Sequence, residues 1–261
     1  MSASPTPDPP DPWIRRFRPR PEADVRLVCL PHAGGSASYY HPLTRSPLLP
    51  ATEVLAVQYP GRQDRRREPL VDDIPRLADL ITEALAPFGD RPLALFGHSM
   101  GAVLAFEVAQ RLGERPRHLF VSGRRAPSRF RRGTVHLLSD AELVGELRRA
   151  GGTDPRFLDD EELLAEILPV VRNDYRAVEL YRWNQAPPLD CPVTALVGDR
   201  DPQAALDDVE AWRDHTTGAF DLRTFPGGHF YLNTHQGGVV DIIAKALLDE
   251  ARHATTRGTT P

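Results

Sequence analysis

The sequence predicts an α/β fold with a mostly parallel central sheet and helices on both faces, and three observations carry this. Short apolar runs bounded by turn residues alternate with amphipathic stretches, the sign of repeated βα units. The chain has 261 residues, 41% of them hydrophobic and 26% charged, which suits one soluble domain with a sizeable core. Residues 91–96 form an apolar run behind a proline, followed by Gly97-His98-Ser99-Met100-Gly101 and then helical spacing through Leu112. That context reads as strand, sharp turn, helix.

The first residues carry Pro5, Pro7, Pro9, Pro10 and Pro12 and no hydrophobic signal core, so 1–12 is expected as a flexible leader. A single domain is expected over 13–253, and the polar segment 254–261 as a flexible tail. Strands are expected at 25–30, 54–58, 93–96, 118–121, 193–197 and 221–225, with helices after Ser36 and over 74–87, 99–112, 202–216 and 238–252. The alternation breaks at about 125–187, where two amphipathic helical patterns occur with no strand between them. Ser139-Asp140-Ala141-Glu142 opens the first as a capping box, and the second runs from about Asp159 to Trp183. An insertion there lies over the strand C-terminal ends, where open α/β sheets bind ligands, and is expected to act as a lid.

Composition excludes several function classes. The net charge of −4 argues against a general nucleic-acid or membrane-surface binder. No apolar stretch approaches the roughly 20 residues of a membrane span. Cys29 and Cys191 have no motif spacing and are expected as reduced, buried packing residues of a cytoplasmic protein. No His, Cys or carboxylate cluster has zinc-ligand spacing, and no phosphate-binding glycine pattern is present; neither metal nor cofactor is expected.

A serine between glycines on a strand-to-helix turn projects its hydroxyl above the sheet, because the tight backbone has no room for neighbouring Cβ atoms. Ser99 is therefore the candidate nucleophile. A hydroxyl needs a base and a carboxylate that orients the base. His229, in Phe225-Pro226-Gly227-Gly228-His229-Phe230, follows the last expected strand on a glycine loop and is the candidate base. His98 is expected to support the turn, and His215 and His235 to lie at the surface. For the acid, Gly198-Asp199-Arg200-Asp201-Pro202 offers two carboxylates at a strand end. Asp201 is preferred because Pro202 can start the next helix and leave it at the loop tip; Asp199 can brace the turn or pair with Arg200. The order serine, aspartate, histidine is that of an α/β-hydrolase. Two backbone N–H groups are expected to hold an oxyanion, one from Met100 and one from Ala33 in the small, glycine-rich loop 31–36, with Gly34 next in line.

Five segments in this order, 30–36, Tyr59-Pro60-Gly61-Arg62, 97–101, 198–202 and 225–232, resemble the type II thioesterases that accompany polyketide synthases and nonribosomal peptide synthetases. The resemblance runs from about Trp13 to Leu248 and includes the segment 13–17, for which no chemical role is apparent. It implies hydrolysis of acyl thioesters on the phosphopantetheine arm of acyl or peptidyl carrier proteins, editing stalled or misprimed synthases, with Ser99, Asp201 and His229 as triad; separately from the resemblance, a monomer is expected. Two arginine clusters, Arg62, Arg65, Arg66 and Arg67, and Arg124, Arg125, Arg129, Arg131 and Arg132, stand out; the second is the candidate contact for an acidic carrier, against internal pairing with acidic neighbours. A stand-alone esterase or lipase-type hydrolase and a non-catalytic hydrolase-fold binding protein remain as alternative readings.

Overall fold

Residues 25–30, 52–57, 93–98 and 193–198 are buried at almost every position, the pattern of parallel strands covered on both faces. They form β2 (Val25–Leu30), β3 (Thr52–Val57), β4 (Leu93–His98) and β6 (Val193–Gly198), with β5 (Pro116–Ser122) between β4 and β6 and β7 (Phe220–Phe225) at one edge. The computed structural model describes residues 12–153 and 155–257. Its seven-stranded sheet has the order β1-β3-β2-β4-β5-β6-β7, where β1 (Ile14–Arg15) is an edge strand antiparallel to β3. All other pairings are parallel. The sequence reading has no strand at β1, because two residues are too few for a period to register.

Helices α1 (Ile74–Ala84), α2 (Met100–Leu112) and α7 (Gln236–Arg257) flank the sheet. One apolar cluster joins α1 and α2 to one face through Ile74, Ile81, Phe106 and Leu95. A second joins α7 to the other through Ile243, Phe96 and Phe120. Helix α7 continues through Arg257, so the boundary expected at 253/254 falls inside a helix; the rest of that tail, and the leader apart from Pro12, lie outside the described residues. Segment 37–45 is a 3-10 helix containing Pro42. The helix expected over 202–216 is reduced to α5 (Leu206–Glu210) and a 3-10 turn over Ala211–His215.

Between β5 and β6 lie α3 (Asp140–Ala150) and α4 (Glu161–Leu180). Ser139 and Glu142 form the expected reciprocal capping box. Leu143, Leu147, Leu158, Leu168 and Val171 make a third apolar cluster belonging to this insertion. Cys29 and Cys191 are buried and not joined in a disulfide. Among the described residues no helix is long and apolar enough to cross a membrane.

Candidate active site

The turn between β4 and α2 puts Ser99 at φ 56° and ψ −116°, a region that L residues avoid and that costs of order 1–3 kcal/mol. The flanking glycines are what make it possible. A Cβ at Gly97 would stand 1.9 Å from the Gly101 carbonyl oxygen, and one at Gly101 would stand 2.0 Å from that of Leu30. Ser99 is anchored by its N–H, which donates 2.8 Å to the Ser122 carbonyl on β5. His98 is fully buried, with Nδ1 3.0 Å from Ser122 Oγ, which in turn lies 2.7 Å from the Tyr231 hydroxyl. It supports the turn, as expected.

Loops after β6 and β7 bring Asp201 and His229 together: His229 Nδ1 lies 2.8 Å from Asp201 Oδ2, and both side chains are almost wholly buried. Asp201 Oδ1 accepts the Gln203 N–H at 2.8 Å, an Asx turn. Pro202 therefore opens a turn, and the following helix begins only at Leu206. Asp199 braces the histidine loop, accepting the Gly227 N–H at 2.8 Å, and lies 3.5 Å from Arg200. The His229 ring stands 5.0 Å from that of His98, the residue beside Ser99. With Nδ1 bound to the carboxylate, Nε2 is the ring nitrogen that remains for a hydroxyl.

His32 completes a group of three imidazoles, its ring 6.0 Å from that of His98. Burial first, then the charges of His229 and Arg62, push the pKa of His32 down to about 3. Burial and the same imidazole neighbours hold His98 well below its usual value. Both are neutral at physiological pH.

The glycine-rich loop follows β2. Gly34 has φ 74°, and its N–H donates 2.8 Å to Asp174 Oδ2 on α4. The Gly34 amide is thus engaged by a carboxylate. Met100 stands at the first position of α2, where backbone N–H groups point outward and favour negative charge. The insertion touches the site on two sides. A Cβ at Gly152 would stand 2.1 Å from Phe230 Cζ, next to His229, and one at Gly34 would stand 2.6 Å from Val171 Cγ2.

Several sequence expectations are corrected here. His215 is 1% exposed, with Nε2 3.0 Å from Ser128 Oγ and its ring 4.5 Å from Trp183. Arg62 and Arg65 are buried, paired with Asp174 and Glu68; only Arg66 and Arg67 of that cluster face solvent. In the second cluster Arg124 and Arg125 turn inward to the carbonyls of Val178 and Gln203, and Arg131 pairs with Asp208. Arg129 and Arg132 are exposed. Asp174 was absent from the candidates. Its signal was its position one turn from Val171 and Val178, on the apolar stripe of α4, where a carboxylate is out of place.

A strained serine at a strand-to-helix turn, with a buried His–Asp pair raised on later strands of a parallel sheet, defines a hydrolase of the α/β type. The chain belongs to the thioesterase family, whose domain model matches residues 25–247, and its members hydrolyse thioesters. It is 52% identical over 241 residues to thioesterase PikA5 of Streptomyces venezuelae, covering 90% of this chain and 85% of that one. It is also 52% identical over 238 residues to a probable cadicidin biosynthesis thioesterase of Streptomyces griseus, covering 90% of this chain and 66% of that longer protein. Among solved structures, the type II thioesterase BorB from the borrelidin biosynthetic cluster superposes with a TM-score of 0.84 at 52% identity, over 91% of this chain and 98% of that one.

Proposed function

We propose that this protein is a discrete type II thioesterase that removes acyl groups from the phosphopantetheine thiol of acyl or peptidyl carrier proteins, clearing stalled or misprimed polyketide and nonribosomal peptide synthases. The observation that carries the reading is the buried 2.8 Å contact of His229 Nδ1 with Asp201, beside a serine held in a strained elbow. In this reading Ser99 Oγ attacks the thioester carbonyl while His229 Nε2 takes its proton. Asp201 stabilises the imidazolium, and the Met100 and Ala33 amides receive the oxyanion. The pantetheine thiol leaves with the proton from His229, and water activated by the same imidazole hydrolyses the acyl-serine. The insertion covers this line as a lid, and the protein works as a cytoplasmic monomer. Solved thioesterase-family neighbours at 30% identity, ClbQ from the colibactin NRPS/PKS pathway and the type II thioesterase YbtT from the yersiniabactin NRPS/PKS pathway, support the assignment of partner.

The test compares one acyl group presented as carrier-bound thioester, as pantetheine thioester and as a simple ester. The expected order of kcat/KM is carrier first and ester last. Faster turnover of the ester would favour a stand-alone esterase, and no turnover of any of the three would favour a binding protein.

A further inference from the structure

Helix α4 of the insertion reaches the glycine-rich loop with a buried charge. Asp174 is 1% exposed, and its Oδ2 accepts both the Gly34 N–H at 2.8 Å and the Arg62 guanidinium. Arg62 also donates 2.7 Å to the Pro60 carbonyl and lies 5.1 Å from the Tyr59 ring centroid. The Tyr59 hydroxyl donates 3.0 Å to the Pro31 carbonyl, at the start of the same loop. Pro31 and Gly34 are thus tied into one ring of contacts, and Ala33 lies between them.

We propose that Asp174 is a positioning residue for the oxyanion-binding loop: by taking up the Gly34 amide it fixes the Ala33–Gly34 peptide plane, and the turn closed by the Gly35 N–H on the His32 carbonyl passes that constraint to the adjoining plane, which aims the Ala33 N–H at the reacting carbonyl. This rests on the acyl-serine reading above. Three features set it apart from ordinary lid packing. Its hydrogen-bond donor is a backbone amide at a positive-φ glycine, where a Cβ would stand 2.6 Å from Val171, so α4 and the loop meet at closest approach. Arg62 neutralises the carboxylate, and a bare negative charge there would oppose the developing oxyanion. And burying an ion pair is costly, so it is poor evidence for a merely stabilising role. The oxyanion loop then reaches its working geometry only when the C-terminal half of α4 is docked. Pro169, inside α4, removes one helical hydrogen bond and separates that docked half from the largely exposed first turns.

The test uses two double variants, neither of which buries an unpaired charge. Arg62→Met/Asp174→Leu deprives the Gly34 amide of its acceptor, whereas Arg62→Met/Asp174→Asn keeps a neutral one. On an acyl-pantetheine thioester, the Leu form is expected to lose about tenfold or more in kcat with KM within about twofold, part of the loss seen when an oxyanion donor is deleted outright. The Asn form recovers most of that loss. An acyl-chain boronic acid, whose tetrahedral adduct occupies the oxyanion site, weakens in parallel with kcat, while a non-reactive amide analogue binds equally to both. Equal kcat and equal boronate affinity in the two variants overturns the proposal. If the Leu form does not fold, Arg62→Met/Asp174→Ala takes its place against Arg62→Met/Asp174→Asn; equal kcat and equal boronate affinity in that pair overturns it. Ser99→Ala on the same thioester keeps the two ideas apart: an inactive Ser99→Ala with indistinguishable Asp174 variants removes only this inference, whereas an active Ser99→Ala removes the reading beneath it.

Discussion

At the scale of single residues, the site is a set of exceptions to ordinary preference, and those exceptions are what a sequence can display. Ser99 holds a positive φ that only tight glycine packing at positions 97 and 101 makes reachable, so the motif and the strain are one fact. The two aspartates after β6 differ by their partners: Asp201 meets the imidazole and Asp199 meets a loop amide. Asp201→Asn is therefore expected to lower kcat on an acyl-pantetheine thioester by about 10⁴, since the amide selects the wrong imidazole tautomer. Asp199→Asn should cost less than about tenfold, the effect of weakening a hydrogen bond worth about 1 kcal/mol. Steady-state kinetics of the two variants checks this, and the reverse order would reassign the acid. Residues without a local signature were harder to read. Arg62 sits in a legible motif, but the sequence cannot say that its charge points inward, because its partner Asp174 lies 112 positions away. His215 was misplaced for a related reason: the segment around it looks polar, yet Trp212, Trp183 and Phe106 close over the ring.

At the scale of elements, legibility follows how much of the signal is local. Strands such as β2 and β6 are mainly apolar runs ended by turn residues, and their expected bounds differ from the observed ones by little. The capping box at Ser139 is complete within four residues, so the start of α3 could be read directly. Segment 202–216 departs from its helical pattern because one local and one non-local contact override it. Asp201 Oδ1 takes the Gln203 amide to form a turn, and Trp212 Nε1 donates 2.8 Å to the Arg124 carbonyl, seating the 3-10 stretch against β5. The insertion was legible as two helices but not as a docked body. Nothing along α4 announces that Glu179 accepts the Val135 and His136 amides, or that Tyr181 donates 2.5 Å to Glu107 on α2. The Glu179 contacts hold α4 to the 135–136 segment within the insertion, and the Tyr181 hydroxyl ties its C-terminal end to the sheet-bound body, while α3 rests on the insertion's own cluster.

At the scale of the whole molecule, the arrangement of three buried imidazoles links stability to pH. His32 has a pKa of about 3, His215 of about 4, and His98 lies well below the ordinary 6.5, each chiefly because burial penalises its charged form. Folded-state values lie below unfolded ones, so the unfolded chain binds protons that the native state refuses. Stability is full above about pH 6.5 and falls as the pH drops below it, by about 1.4 kcal/mol per histidine per pH unit until the native values are reached. Thermal melts at about pH 7.5 and about pH 5.0 should show a clear loss of Tm at the lower pH, and equal melting temperatures would contradict neutral, buried imidazoles. The central claim of the proposed chemistry is that Ser99 is acylated while the imidazole paired with Asp201 takes its proton. The most direct measurement of that claim is to mix the protein with a carrier-bound acyl thioester, quench within the first turnover and map the acyl mass by peptide mass spectrometry. The acyl group is expected on the peptide containing Ser99, and to vanish in Ser99→Ala together with hydrolysis. Acylation of another residue, or undiminished hydrolysis by Ser99→Ala, would contradict the account.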